Sequence, residues 1–250
     1  MIKFFRHIRQ QLVMENKTGR YFKYAIGEII LVVIGILIAL SINNWNTNRL
    51  VKANEVNSLK QLNIDLKENY KELTDIYNYI DNSNNCGKKL LNHLEHNTTI
   101  TDSLRYWVER FSGGNIFNNA NTTYKNLENS SQNIISNDSL RLRITLMYEY
   151  DFANVHKREQ MVYQEYFPIY KKELLENFKT GPIVDQWLEH QTLEINTPKD
   201  IEDLRENDTF KNAFVQLYNF RLLRLNWLNE TIPTLEKLIT DIDKEIKSKD

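Results

Sequence analysis

Cys86, His93 and His96 come nearest to a chemical constellation in this 250-residue chain. The two histidines stand at i, i+3 on one helix face, and imidazole nitrogens so placed can ligate zinc with a third donor. Glu95 falls off their shared helix face, and the surrounding polar sequence reads as a solvated helix surface, so no metal ligand is assigned. His156 and Glu159, one turn apart, read as an exposed polar pair. The neighbouring acids Glu202-Asp203 and Asp241/Asp243 fall on charged helix faces, where solvation accounts for them without general acid–base chemistry. The sequence contains no HExxH, no GxSxG and no Gly-rich phosphate loop, and its seven glycines are scattered. No catalytic, cofactor or metal site is therefore expected, and enzyme activity is not expected either.

The elements that would position such residues are helices. Gly 7 and Pro 4 are too few for the frequent turns of an all-β fold. One cysteine excludes a disulfide within the chain. The formal net charge is −1, and residues 1–44 hold six Lys/Arg against Glu15 and Glu28, which leaves −5 for the remainder. A mildly acidic domain without a basic tract does not neutralise phosphates, which argues against nucleic-acid binding.

From Ala25 to Ile42 the chain reads AIGEIILVVIGILIALSI, close to the length that crosses the hydrocarbon layer, and a transmembrane helix is expected over residues 24–44. A cleaved signal peptide is the competing reading, with Ala39-Leu40-Ser41 as a small-x-small site. The basic lead of more than twenty residues and the long apolar run argue against it. Lys3, Arg6, Arg9, Lys17, Arg20 and Lys23 precede the span, whereas only Arg49, Lys52 and Lys60 follow it closely, so the N terminus is expected inside. Tyr21, Phe22 and Tyr24 before the span and Trp45 after it are expected as interfacial anchors. In residues 1–23, Met1, Phe5, Ile8 and Leu12 share a helical face, which suits a basic amphipathic segment on the inner leaflet. Glu28 is an intramembrane acid within one turn of the cytoplasmic boundary, where snorkelling or protonation accommodates it. Gly27, Gly35, Ala39 and Asn43 fall on one i, i+4 row, and Gly35-x-x-x-Ala39 is a small-xxx-small pair that offers a self-association face.

Residues 45–250 are expected to form an extracytoplasmic helical domain. Leu59, Leu62, Leu66, Asn69, Leu73, Ile76 and Ile80 keep a 3,4 spacing, with a bend or end expected at Asn82 to Asn85, although Leu90 and Leu94 would continue the register. A second seam runs through Phe214, Tyr218, Leu225, Leu228, Ile232, Leu235, Ile239, Ile242 and Ile246, interrupted by Arg221. Pro233 should kink this helix near Asn229 or restart it at Thr231, and Asp208 is a candidate N-cap. A third pattern runs from Asp138 to Phe178 through Leu140, Ile144, Met147, Tyr148, Phe152, Val155, Val162 and Ile169, with a bend expected at Pro168. Shorter helices over Ser103 to Phe111, closed by Gly113-Gly114, and Ile183 to His190, opened by Gly181-Pro182, should pack Trp107, Phe111 and Trp187 onto the long ones. Asn118 to Thr123 and Glu194 to Lys199 read as loops. The expected fold class is all-α: a single N-terminal transmembrane helix followed by an antiparallel bundle of long, partly coiled-coil-like helices.

The opening MIKFFRHIRQQLVMENKTGRYFKYAIGEIILVVIGILIALSINNWN resembles the shared N terminus of a family of uncharacterised bacterial membrane proteins, domain of unknown function 6090. The most specific parts are Arg-Gln-Gln, then Tyr-Ala-Ile-Gly-Glu-Ile, then Asn-Asn-Trp-Asn. Further on, Thr123-Tyr124-x-x-Leu127 and Leu140-Arg141 are similar to the family's middle region. The resemblance implies a Gram-negative inner-membrane protein whose helical domain is periplasmic, and it implies no activity. The expected role is a membrane-anchored interaction or scaffold module that contacts the membrane and itself or another envelope protein. A ligand-sensing bundle that signals through a partner is the alternative, and an enzyme with an unrecognised site the third.

Overall fold

The computed structural model describes residues 18–96, 99–130, 134–179 and 196–249, and these are helical nearly throughout. The segment of Met1, Phe5, Ile8 and Leu12 and the short helix expected at Ile183 to His190, with Trp187, lie outside the described residues. Helix α1 spans Thr18–His96, α2 Asp102–Ser112 and α3 Thr122–Glu128. A central run over 138–177 comprises α4 (Asp138–Leu146), a π turn (Met147–Phe152), α5 (Ala153–Met161), a second π turn (Val162–Tyr166) and α6 (Phe167–Asn177). Strands β1 (Phe178–Lys179) and β2 (Thr197–Pro198) form a minimal antiparallel pair that the apolar pattern does not signal, and α7 (Ile201–Glu206) and α8 (Asp208–Lys249) follow. The chain divides after Glu55 into two compact units.

In the first unit α1 is long and apolar enough to cross a membrane, and none of that apolar stretch is buried inside the protein. Twelve large aliphatic side chains from Ile26 to Ile42 are each 47–64% exposed. The hydroxyls of Ser41 and Thr47 donate to the carbonyls of Leu37 and Asn43, at 2.8 and 3.0 Å, so these polar side chains are satisfied by their own helix.

In the second unit every seam residue of α1 from Leu59 to Ile80 is buried, Asn69 included. The helix does not end at Asn82 to Asn85 but runs on to His96, with Leu90 and Leu94 buried. Asn82 and Asn85 face solvent, and the two that face inward, Ser83 and Asn84, find partners on other elements, so none of them breaks the helix. Ser83 Oγ donates to the Arg110 carbonyl at 3.0 Å, and Asn84 Nδ2 donates to the Tyr218 carbonyl at 3.4 Å. Helix α8 runs antiparallel to this part of α1, as Asn63 donates to Asp243 (2.5 Å) at one end while Ser83 meets Arg221 (2.7 Å) further along. The central run is likewise antiparallel to α8, with Arg143 on Asp241 (2.8 Å) and the Tyr166 ring stacked on Phe220.

Pro233 lies inside an unbroken α8, so no restart occurs at Thr231, which is buried. One missing N–H is outweighed by the buried seam on both sides, from Leu225 and Leu228 to Leu235 and Ile242. The N-cap of α8 is Asn207, not Asp208: the Phe210 N–H donates to Asn207 Oδ1 at 2.9 Å. Residues 118–121 lie outside helix and strand, as expected of a loop, but Thr122 and Thr123 already belong to α3. In the central run the irregularity precedes Pro168, which sits in the first turn of α6 directly after the second π turn. A π turn inserts one extra residue. The buried position after Val162 is accordingly Tyr170, while Ile169 is 49% exposed.

Candidate functional site

The densest polar chemistry of the second unit surrounds the extended segment between α2 and α3. No secondary structure satisfies its backbone, so side chains of the long helices do. Arg221 is buried and donates to Ser83 Oγ, the Phe111 carbonyl and the Gly113 carbonyl at 2.6–2.7 Å. Arg224 Nη2 and Tyr163 Oη both donate to the Asn115 carbonyl, at 3.2 and 3.1 Å. Glu159 Oε1 accepts from the Phe117 N–H at 3.0 Å and from Arg224 Nη2. Glu72 accepts from the Asn118 N–H, and Asn69 both accepts from and donates to the Ala120 backbone, at 2.6 and 2.9 Å. Asp65 accepts from the Thr123 N–H and so caps α3 from a neighbouring helix, where Asn121 makes no side-chain cap of its own. This clamp draws on α1, the central run and α8 together.

Glu159 and Arg224 are almost fully buried, so Glu159 is not the surface partner that its spacing from His156 suggests. Burial pushes the Glu159 carboxyl up, against the pull of the Arg224 guanidinium and the Phe117 N–H. His156 Nδ1 lies 3.7 Å from Glu159 Oε2, its Nε2 meets Asn119 Oδ1 at 3.1 Å, and its ring stacks on Phe117. Burial holds the His156 imidazole below its ordinary value. Nothing in the clamp is a nucleophile set against a base. What it does is fix a backbone.

Glycines mark the closest approaches. A methyl group added at Gly113 would fall on the Tyr79 hydroxyl, and one at Gly114 on Tyr163. Inside α1, one at Gly87 would lie 2.5 Å from a ring carbon of Phe111. Phe111, Phe214 and Tyr170 pack there, fully buried, and Tyr170 donates to or accepts from Ser112 Oγ at 3.0 Å.

A cavity of about 440 Å³ opens between the first π turn and the Pro233 region of α8, and a second, of about 260 Å³, lies beside Tyr124, Leu127 and Ile144. Among the described residues no group of three or more His, Cys, Asp or Glu side chains is placed to hold a metal. Cys86 is buried, with Sγ against Asn82 Oδ1 at 3.5 Å. His93 Nε2 meets the Thr99 carbonyl at 2.8 Å, and His96 Nδ1 meets the Asn92 carbonyl at 2.9 Å.

In the apolar span, Gly27 and Gly35 have open space where a side chain would stand, and Ala39 and Asn43 are exposed on the same helical row. Glu28 is half-buried. Phe22 and Trp45 are exposed, with the Arg49 guanidinium 5.5 Å from the Trp45 ring centroid, and the side chains of Tyr21 and Tyr24 lie outside the description. Sequence spacing pairs Glu159 with His156 only as an exposed pair and misses Arg224, while Arg221 shows as the interruption of an apolar seam.

No curated protein and no solved structure matches this chain. A family model does, that of a family of unknown function (DUF6090), over residues 28–214. The matched stretch starts at Glu28 and ends in α8 at Phe214, so it takes in the clamped segment and Glu159 but neither the Arg-Gln-Gln tail nor Arg221 and Arg224. Three quarters of the sequence falls within that match, and the chain belongs to the DUF6090 family.

Proposed function

We propose that the chain is a single-pass membrane protein of the bacterial envelope whose helical domain is an interaction or scaffold module, without enzymatic activity. The observation that carries this reading is the uncovered aliphatic stretch of α1, from Ile26 to Ile42. Leaving twelve such side chains in water forgoes on the order of 20 kcal/mol, more than the whole stability of an ordinary domain. A bilayer removes that penalty. In the finer reading, the excess of Lys and Arg before the span supports an N terminus in the cytoplasm with residues 45–250 across the membrane, and the family resemblance supports a Gram-negative inner membrane, which would make that side the periplasm.

The antiparallel packing of α8 on α1 and on the central run supports a helical bundle. The open row Gly27, Gly35, Ala39, Asn43 supports self-association within the membrane. A second surface supports contact with a partner outside it: Leu142, Leu146 and Tyr150 are 48–59% exposed and stand at i, i+4, i+8 on the central run. Photoreactive residues at Gly35 and Leu146, crosslinked in cells and analysed by mass spectrometry, test this. Trapped copies of the chain, or one reproducible envelope protein, support the module. Empty adducts at both positions count against it.

A further inference from the structure

Two irregularities of the backbone face each other across one cavity. The π turn Met147–Phe152 lies on the central run, and on α8 Pro233 has no N–H to offer the Asn229 carbonyl. π turns inside helices are rare and recur at functional sites. The space of about 440 Å³ between the two falls in the range of small-molecule sites.

The walls divide cleanly by chemistry. Met147 and Leu238 are buried and form a floor, and Leu146 and Pro233 form exposed aliphatic sides. Asp151 is half-buried among them and has no hydrogen-bond or ion-pair partner among the described residues. Burial alone pushes its carboxyl up. Of the cations on the rim, Arg143 is engaged by Asp241 at 2.8 Å, and no ion pair joins Lys237 to Asp151.

We propose that this cavity binds a small organic ammonium ion with an apolar body of on the order of ten to twenty heavy atoms, its N–H groups donating to Asp151 and its body packed on Leu146, Met147, Pro233 and Leu238. A half-buried carboxylate without a partner beside aliphatic walls suits a donor that carries positive charge. The aliphatic walls call for more than a bare ion. A single carboxylate is too little for a divalent metal, which takes several oxygen ligands. The inference goes beyond the anchoring reading and does not depend on it.

Calorimetric titration of the full chain in lipid nanodiscs at pH 8 with 4-phenylbutylammonium tests the site, with 4-phenylbutanol and ammonium chloride as controls. The expected result is saturable one-site binding that weakens about tenfold or more in Asp151→Asn and for the alcohol, since both lose a charge-assisted hydrogen bond. Thr234→Phe, which fills the cavity from an exposed position, should abolish binding with the thermal melt unchanged. Ammonium chloride should give no saturable heat. Non-saturable partitioning with the same heat in wild type and Asp151→Asn overturns the proposal. So does equal affinity for the alcohol, or binding that survives Thr234→Phe.

Discussion

Glu159 on the central run and Arg224 on α8 meet as an ion pair in which both side chains are no more than 4% exposed, and both partners also hold the backbone of the segment between α2 and α3. A buried pair adds little over a hydrophobic replacement, yet breaking it strands a charge. Glu159 Oε2 and Arg224 Nε already lack hydrogen-bond partners among the described residues, so the site has no reserve of hydrogen bonds. Glu159→Ala or Arg224→Ala alone should lose about 3–5 kcal/mol. The pair Glu159→Leu with Arg224→Met should lose much less than the sum. Urea unfolding of the four proteins measures the coupling, and strict additivity would contradict a shared clamp.

Gly87 pits helix propensity against packing. Alanine there should gain up to about 1 kcal/mol as a helix former. The added methyl, however, meets the rings of Phe111 and Phe214 in a fully buried cluster, which costs about 1–3 kcal/mol. Packing wins, and Gly87→Ala should lower the melting temperature, whereas Gly27→Ala, with open space around it, should not. Differential scanning calorimetry of both variants checks the contrast.

The legible part of this fold is its periodic part. Leu59 to Ile80 and Leu225 to Ile246 were readable as seams because burial recurs with the helix period. The central run lost its register after Val162, since a π turn leaves no local mark in residue type, and Tyr170 took the place expected of Ile169. Asn82 to Asn85 looked like a break because polar residues usually face water. Here the partners of Ser83 and Asn84, the carbonyls of Arg110 and Tyr218, are distant in sequence. The clamp was hidden for the same reason, as Glu159 and Arg224 lie 65 residues apart.

Tyr170 gives an alkaline signature. Its hydroxyl is fully buried and its pKa is pushed up to about 12, first by burial. An acid whose folded value is raised contributes stability that is complete below its unfolded value, near 10, and is lost as pH rises through the folded value. Between about pH 10 and 12 the loss from this group should reach on the order of 3 kcal/mol. Tyr170→Phe, which loses the bond to Ser112 Oγ while Ser112 keeps its own bond to the Val108 carbonyl, should show a flatter decline in that window in pH-dependent urea unfolding.

His156 gives the acid counterpart. Burial lowers its pKa, so the folded state favours the neutral ring. Stability from this group is full above the unfolded value of about 6.5 and falls as pH drops through that value toward the folded one. The Asn119 contact itself survives protonation, since Nε2 donates to Oδ1 in either form, so the loss comes from charging a half-buried ring. Amide hydrogen exchange of residues 117–120 between pH 7 and pH 5, corrected for intrinsic rates, should show falling protection, and His156→Gln should remove the trend.

The anchor itself is tested most directly by alkaline carbonate extraction of membranes from cells expressing the full chain, with the mass of the recovered protein determined. The account predicts an uncleaved chain that stays with the membrane pellet, and release into the supernatant when residues 25–42 are deleted. A chain cut after the apolar span, or an intact chain extracted by carbonate, would contradict it.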